Sequence, residues 1–238
     1  MKCLIAAAGQ GTRMREKGEV KPLIELNGVP IIERVIKNLR DGGVDEFFVT
    51  TGYRGTKVRA FLDMLAERDN ISLTHIINEE WQRPNGGSVL KAKGLIEGPF
   101  ILTMCDHLFD PEIIKSLLAF DHEPNTVTLC VDYNIENPVV DINDVTRVNC
   151  TRARIENIGK VIKDYNAFDT GIFYCHDVIF DALEKGKIEG DESISGAVNV
   201  LGSWDKARTF DIGGRLWLDV DDPTAYGKAI VYVDEGRL

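Results

Sequence analysis

The sequence predicts an α/β fold, doubly wound about one mixed sheet. Three observations lead there. Apolar strand-like runs alternate with helical periodicities over the first 135 residues. The run Phe100–Met104 is almost wholly apolar, as suits a strand covered on both faces. Beyond residue 135 the alternation gives way to short segments of antiparallel character.

Lys2–Ala7 is the first strand. Pro30 opens a helix over Ile31–Leu39, because the N–H that proline lacks has no partner at a helix start, and Gly42-Gly43 stops it. Glu46–Thr50 is the second strand. Thr56–Leu65 is helical, since Val58, Phe61, Leu62 and Leu65 recur on one face. Leu73–Ile77 is the third strand. Asn85-Gly86-Gly87-Ser88 is a loop leading into a short helix with Leu90. Phe100–Met104 is the fourth strand and ends at Cys105-Asp106. A helix over Pro111–Phe120 and a strand over Thr126–Val131 follow. In the second half, Val145–Asn149, Arg152–Glu156 and Lys160–Lys163 read as short antiparallel strands. Phe168–Phe173 follows, then a helix over Asp177–Lys185. Ala207–Ile212 and Leu216–Val220 read as a hairpin around Gly213-Gly214. No repeat or low-complexity linker divides the chain, so 1–238 is read as a single domain whose second half elaborates the same sheet.

The net charge of −10 argues against a nucleic-acid partner, which would want a basic face. An anionic substrate must then be captured by a local basic site. The five cysteines, Cys3, Cys105, Cys130, Cys150 and Cys175, form no C-x-x-C pair. Their odd number, without a signal peptide, suggests a reducing, cytoplasmic setting. No apolar run approaches the roughly 18–20 residues of a membrane helix. His75, His122 and His176 lack metal-ligand spacing.

Chemistry concentrates first at Ala6-Ala7-Ala8-Gly9-Gln10-Gly11-Thr12-Arg13-Met14, followed by Lys21-Pro22. Small side chains let backbone N–H groups approach phosphate oxygens, and Arg13 and Lys21 add positive charge. A dinucleotide loop is excluded, because Met14 stands where the third glycine belongs. The second strand also ends in Thr50-Thr51-Gly52, without an acidic residue for a ribose. A P-loop is excluded by the missing G-K-[ST]. A loop for a nucleoside triphosphate remains.

Asp106 closes the Phe100–Met104 strand, at the carboxyl end where open α/β sheets bind ligands. Asp219 and Asp221, in Trp217–Pro223, share one face of an extended segment. Magnesium takes oxygen ligands, commonly one or two carboxylates plus substrate phosphates, and Asp106 with Asp221 supplies such a pair. Asp222 reads better as a cap for a helix beginning at Pro223. His107 either lines the site or is structural. Trp81, Trp204 and Trp217 read as packing.

Taken in order, Ala6–Met14, Lys21-Pro22, Gly86-Gly87-Ser88, Met104–His107, Phe168–Phe173 and Trp217–Pro223 resemble the nucleotidyltransferases that activate sugar and polyol phosphates. These motifs cover nearly the whole chain. Ile158-Gly159-Lys160 with Tyr165–Gly171 is similar to the inositol-1-phosphate cytidylyltransferase subgroup. In archaea and thermophilic bacteria that domain is often fused to a membrane CDP-alcohol transferase domain that makes di-myo-inositol phosphate. The resemblance implies a Rossmann-like, GT-A-like nucleotidyltransferase fold, with a nucleotide-binding half, 1–135, and an acceptor-binding half, 136–238. It implies that Ala6, Ala8, Gly9, Gly11 and Thr12 pack on the nucleotide, and that Gly87 and Ser88 border its base or ribose. Arg13 and Lys21 would hold the triphosphate and the departing pyrophosphate. Asp106 would meet the nucleotide and, with Asp221, bind Mg2+. Lys163 would meet the acceptor phosphate, with Lys160 the competing choice. Asp169 and Thr170 would either hydrogen-bond polyol hydroxyls or form a turn with Gly171.

The activity so implied is cytidylyl transfer from CTP to inositol 1-phosphate, in the cytoplasm or in the cytoplasmic domain of a membrane-bound bifunctional enzyme. The alternatives are a sugar-1-phosphate or choline-phosphate nucleotidyltransferase, and a non-catalytic nucleotide-binding regulatory subunit. Against the last, Arg13, Lys21, Asp106 and Asp221 are all present.

Overall fold

The computed structural model describes residues 1–238. In chain order the first half comprises β1 (Lys2–Ala7), β2 (Glu25–Leu26), β3 (Val29–Pro30), α1 (Ile31–Asp41), β4 (Glu46–Thr51), α2 (Gly55–Asp69), β5 (Ser72–Ile77), α3 (Gly86–Leu90), β6 (Phe100–Met104), β7 (His107–Phe109), α4 (Pro111–Ala119) and β8 (Val127–Asp132). The second comprises β9 (Arg147–Thr151), β10 (Arg154–Gly159), β11 (Ala167–Cys175), α5 (Val178–Glu189), α6 (Ile194–Ser203), β12 (Ala207–Asp211), β13 (Trp217–Asp219) and α7 (Pro223–Asp234).

Nine strands form one sheet in the order β5-β4-β1-β6-β11-β8-β12-β10-β9. Neighbours among β5, β4, β1 and β6 run parallel, as the alternation with helices requires. From β11 onward the pairing is mixed: β11 is antiparallel to β6 and β8, and β12 is parallel to β8. The start of β11 also pairs with β9, through Ala167↔Val148 and Phe168↔Arg147, so the far end of the sheet curls back on itself. Apolar clusters cover both faces. On β1 the pleat sends Cys3, Ile5 and Ala7 to one cluster and Leu4 to the other.

Three expectations need correction. Lys160–Lys163 is a turn, because the chain must reverse there from β10 into β11, and Val161 stands exposed without a sheet partner. Ala207–Ile212 and Leu216–Val220 do not form a hairpin. β12 pairs with β8 and β10, whereas β13 pairs with β7 in a separate ribbon. Consecutive left-handed residues at Gly213 and Gly214 lead the chain out of the main sheet between them. The helix expected to end at Leu65 runs another turn, to Asp69, where left-handed Asn70 stops it.

The ribbon positions the site. Leu218 lies opposite Leu108 and Asp219 opposite His107, and Val220 N–H donates to the Asp106 carbonyl at 3.0 Å. Asp219–Asp221 is thereby brought to the end of β6, beside the loop that leaves β1.

Candidate active site

At the carboxyl ends of β1 and β6 lies a cavity of about 670 Å³. Ala6, Ala8, Gly9, Gly11, Lys21, Ser88, Asp106, Lys160, Asp169 and Asp221 all line it. The loop from β1 is pinned on both sides: Tyr53 N–H donates to the Ala8 carbonyl at 2.9 Å, and Cys105 N–H to the Ala6 carbonyl at 3.1 Å. Gly11 has φ +61°, and a Cβ there would run into the Lys21 side chain. The glycine thus serves two ends, a left-handed turn and room for the lysine.

Lys21 is 6% exposed and its ammonium bridges Asp106 and Asp221. Burial opposes its charge, but Asp106, Asp219 and Asp221 overcome that and hold its pKa above the ordinary lysine value. Burial likewise opposes charge on Asp106, yet Lys21 and His107 hold its carboxyl below the usual range. Asp221 moves the other way: burial, then repulsion from Asp219 and Asp106, raises it despite Lys21. Three carboxylates therefore crowd one buried ammonium.

Two of their oxygens, Asp106 Oδ1 and Asp219 Oδ1, are buried without any hydrogen-bond partner. Asp106, His107 and Asp219 each offer a ligand atom within 4.8 Å of the others. Crowded like charges and orphaned hard oxygens at the wall of this cavity together suit a divalent cation. Asp219, rather than Asp221, joins the expected Asp106 in this group, since both Asp221 oxygens are already paired, one with Lys21 and one with Arg13. Asp222 does not, because its carboxylate caps α7 by accepting from Thr224 N–H at 2.7 Å and Ala225 N–H at 2.8 Å.

Arg13 does not itself line the cavity but pairs with two residues that do, Asp221 and, at 2.7 Å, Asp144. Asp144 also takes Lys160, at 2.6 Å. The expected acceptor lysine, Lys163, lies exposed outside the cavity, on the turn that leaves β10, and it is the competing choice, Lys160, that lines it. Thr170 is fully buried and donates its hydroxyl to the Cys130 carbonyl at 2.8 Å, so that hydroxyl does not face a substrate. Asp169 does line the cavity. One of its oxygens accepts from Gly171 N–H at 2.7 Å inside β11, where the pairing with β8 is irregular between Asp169 and Phe173, so the turn expected as the alternative is a bulge within a strand; burial raises the Asp169 pKa to about 6. Gly87 faces a neighbouring cavity of about 140 Å³, and Thr12 is exposed at the start of a short turn. Ser88 is buried, its hydroxyl accepting from the Asn78 amide at 3.0 Å.

Among the lining residues not assigned a part from the sequence are Trp81, Asp144 and Lys228. Trp81, read as packing, reaches the cavity wall and meets Tyr53 edge-on; Trp217, read likewise, also reaches the wall but is otherwise buried and donates its indole N–H to Asp132 at 3.0 Å. Asp144 and Lys228 come from segments with no motif. Lys228 donates to the carbonyls of Pro138 and Val139 and so ties α7 to the 133–146 segment that walls the cavity.

The chain resembles proteins of known name over nearly its full length. It is 30% identical, over 97% of its length, to the bifunctional IPC transferase and DIPP synthase of Aquifex aeolicus. It is 33% identical, over 96%, to the protein of that name from Thermococcus kodakarensis. It spans about half the length of these curated relatives, 51% and 49%. In three dimensions it superposes on the inositol-1-phosphate CTP transferase from T. maritima with a TM-score of 0.85, covering 100% of this chain and 97% of that one at 24% identity. A UDP-glucose pyrophosphorylase complexed with UDP-glucose matches with a TM-score of 0.81 over 99% of both chains at 16% identity. These two likenesses establish the fold, a mixed α/β nucleotidyltransferase architecture. Residues 3–161 match the MobA-like NTP transferase domain, and the chain belongs to that family of nucleotidyltransferases.

Proposed function

We propose that this chain transfers a cytidylyl group from CTP to L-myo-inositol 1-phosphate, releasing pyrophosphate and forming CDP-inositol for di-myo-inositol phosphate synthesis. The observation that carries nucleotidyl transfer is the buried Lys21 ammonium bridging Asp106 and Asp221 beside a small-residue loop, at the mouth of two parallel strands. The names of the Aquifex and Thermococcus relatives and the fold likeness to the T. maritima transferase support the choice of base and acceptor.

In this reading residues 1–135 hold the nucleotide and 136–238 the acceptor. Backbone groups of Ala6, Ala8, Gly9 and Gly11 pack against the nucleotide, and Ser88 borders the base or ribose. An oxygen of the acceptor phosphate attacks the α-phosphorus of CTP in line. The bond from that phosphorus to the oxygen bridging to the β-phosphorus breaks, and pyrophosphate departs with the electron pair. The attacking phosphate is already anionic near neutral pH, so no side-chain base is required. Arg13 and Lys21 neutralise the triphosphate and the leaving group, Lys160 meets the acceptor phosphate, and Asp169 accepts from polyol hydroxyls. Mg2+ would be held by Asp106 and Asp221 with Asp219 beside them, and when bound would withdraw charge from the phosphates. Catalysis is positioning plus charge neutralisation. The reaction takes place in the cytoplasm, and its product suits a membrane CDP-alcohol transferase, fused or separate, that would consume it.

Pyrophosphate release tests this, with CTP, UTP, GTP and ATP each offered inositol 1-phosphate, glucose 1-phosphate and phosphocholine in the presence of Mg2+. Release with CTP and inositol 1-phosphate alone is expected. Release with another pair overturns the substrate assignment, and none with any pair overturns the enzymatic one.

A further inference from the structure

His107 occupies a place that the proposed chemistry leaves unused. It follows Asp106 in sequence and faces Asp219 across the β7–β13 ribbon, so it stands between two of the three carboxylates. Its side chain is largely buried, and Nδ1 lies 2.8 Å from the Thr170 carbonyl on β11. Nε2 points the opposite way, 3.7 Å from Asp106 Oδ1 and 3.6 Å from Asp219 Oδ2. The ring is held from behind as well. Gly171 adopts φ +71°, and a Cβ built there would fall on the imidazole itself. Thr170 is in turn anchored through its hydroxyl to Cys130. The imidazole is thus seated in a slot of β11, with one nitrogen tied to the strand and the other turned towards the carboxylates.

Asp106 Oδ1, which faces the ring, has no hydrogen-bond partner, and neither does Asp219 Oδ1, the oxygen beside the one that faces the ring. Magnesium takes oxygen ligands, so an imidazole here acts on the oxygens rather than in their place. Groups that orient metal ligands from behind set metal affinity nearly as strongly as the ligands themselves.

We propose that His107 is a positioning residue, whose ring, fixed by the Thr170 carbonyl and the bare backbone of Gly171, holds Asp106 and Asp219 in the arrangement that binds the divalent cation. This rests on the reading of Asp106 as a cation ligand. It also assigns Gly171 a purpose beyond the bulge in β11: a side chain at 171 and a seated imidazole at 107 exclude each other. Positive φ at 171 and the collision with the ring are two separate reasons for glycine.

The test is binding of Mn2+ alone, followed by electron paramagnetic resonance without nucleotide or acceptor. His107→Ala and Gly171→Ala are each expected to weaken Mn2+ binding on the order of 10- to 100-fold. His107→Asn, whose amide can still donate to the Thr170 carbonyl, should recover part of that loss. A role confined to stability would lower the melting temperature of these variants and leave Mn2+ affinity of the folded protein unchanged. Asp106→Asn separates the two readings. Binding lost in Asp106→Asn but kept within twofold in both His107→Ala and Gly171→Ala overturns the role of His107 alone. Binding undisturbed in Asp106→Asn overturns the cation reading and this one with it. A directly bound nitrogen in the pulsed spectrum of the wild type would make His107 a ligand and likewise overturn a positioning role. If His107→Ala does not fold, Gly171→Ala and His107→Asn decide.

Discussion

Arg13 and Asp144 form an ion pair of 2.7 Å across 131 residues of chain, so a carboxylate holds the cation that the proposed reaction assigns to the triphosphate. The same carboxylate takes Lys160 at 2.6 Å. Phosphates arriving at either cation must displace it.

Asp144→Asn should therefore lower the KM for CTP and the dissociation constant for inorganic tripolyphosphate. Both Arg13 and Asp144 are partly exposed, and exposed pairs contribute about 0.2–1 kcal/mol, so the gain should be at most about fivefold. Isothermal titration with tripolyphosphate reads it directly. Weaker binding in the variant would show that Asp144 orients Arg13 rather than competing with phosphate.

Lys21→Met removes the ammonium that separates Asp106, Asp219 and Asp221. Breaking a buried pair from one side leaves uncompensated charge, and the expected loss of stability is about 3 kcal/mol. Turnover should fall on the order of a hundredfold or more. The repulsion so exposed gives a second readout: added Mg2+ should raise the melting temperature of the variant more than that of the wild type. An equal rise in both would contradict the crowding of the three carboxylates.

Gly11→Ala tests the fit of the loop on Lys21. A left-handed φ at a non-glycine residue costs roughly 1–3 kcal/mol, and the new Cβ also meets the Lys21 side chain. Loss of stability together with a raised KM for CTP is expected. Gly9, which has open space around its Cα, provides the control: Gly9→Ala should alter stability far less.

Asp169 carries a pH dependence whose sign is opposite to that of most carboxylates. Burial raises its folded pKa to about 6, above an unfolded value of about 3.9. Between these values the unfolded chain releases a proton that the folded chain keeps. This group's contribution to stability is therefore complete below about pH 4 and is lost as pH rises through about 6. Asp169→Asn, which cannot ionise, should gain on the wild type over that window by up to roughly 3 kcal/mol and hold the advantage above it. Urea midpoints from pH 4 to 8, without divalent cation, measure the difference. A constant difference across the range would contradict the shift.

Those predictions draw on residues of unequal legibility. The loop from Ala6 to Gly11, Lys21 and Asp106 was readable because each sits at or just after a strand end, where the fold delivers ligand contacts regardless of distant sequence. The parallel half of the sheet was readable for the same local reason. α6 was not. Gly196, Asn199, Gly202 and Ser203 give it poor intrinsic propensity, and it is held by tertiary bonds: Asn199 both accepts from and donates to the Ile158 backbone. The hairpin around Gly213-Gly214 failed because the partner of β12 is β8, some 80 residues earlier, while Trp217–Asp219 finds β7. Asp144 carries no local sign of its meeting with Arg13. Lys160 was distinguished from Lys163 only by the turn that carries one into the cavity and the other away.

The most direct test of the account is the product formed by the intact protein and by Asp106→Asn. CTP and inositol 1-phosphate are supplied with Mg2+ and followed by phosphorus NMR. The wild type should form CDP-inositol and pyrophosphate in equal amounts. Almost none should come from a variant that keeps its fold by circular dichroism. Wild-type yields from Asp106→Asn, or hydrolysis of CTP without a CDP-linked product, would contradict the proposed reaction.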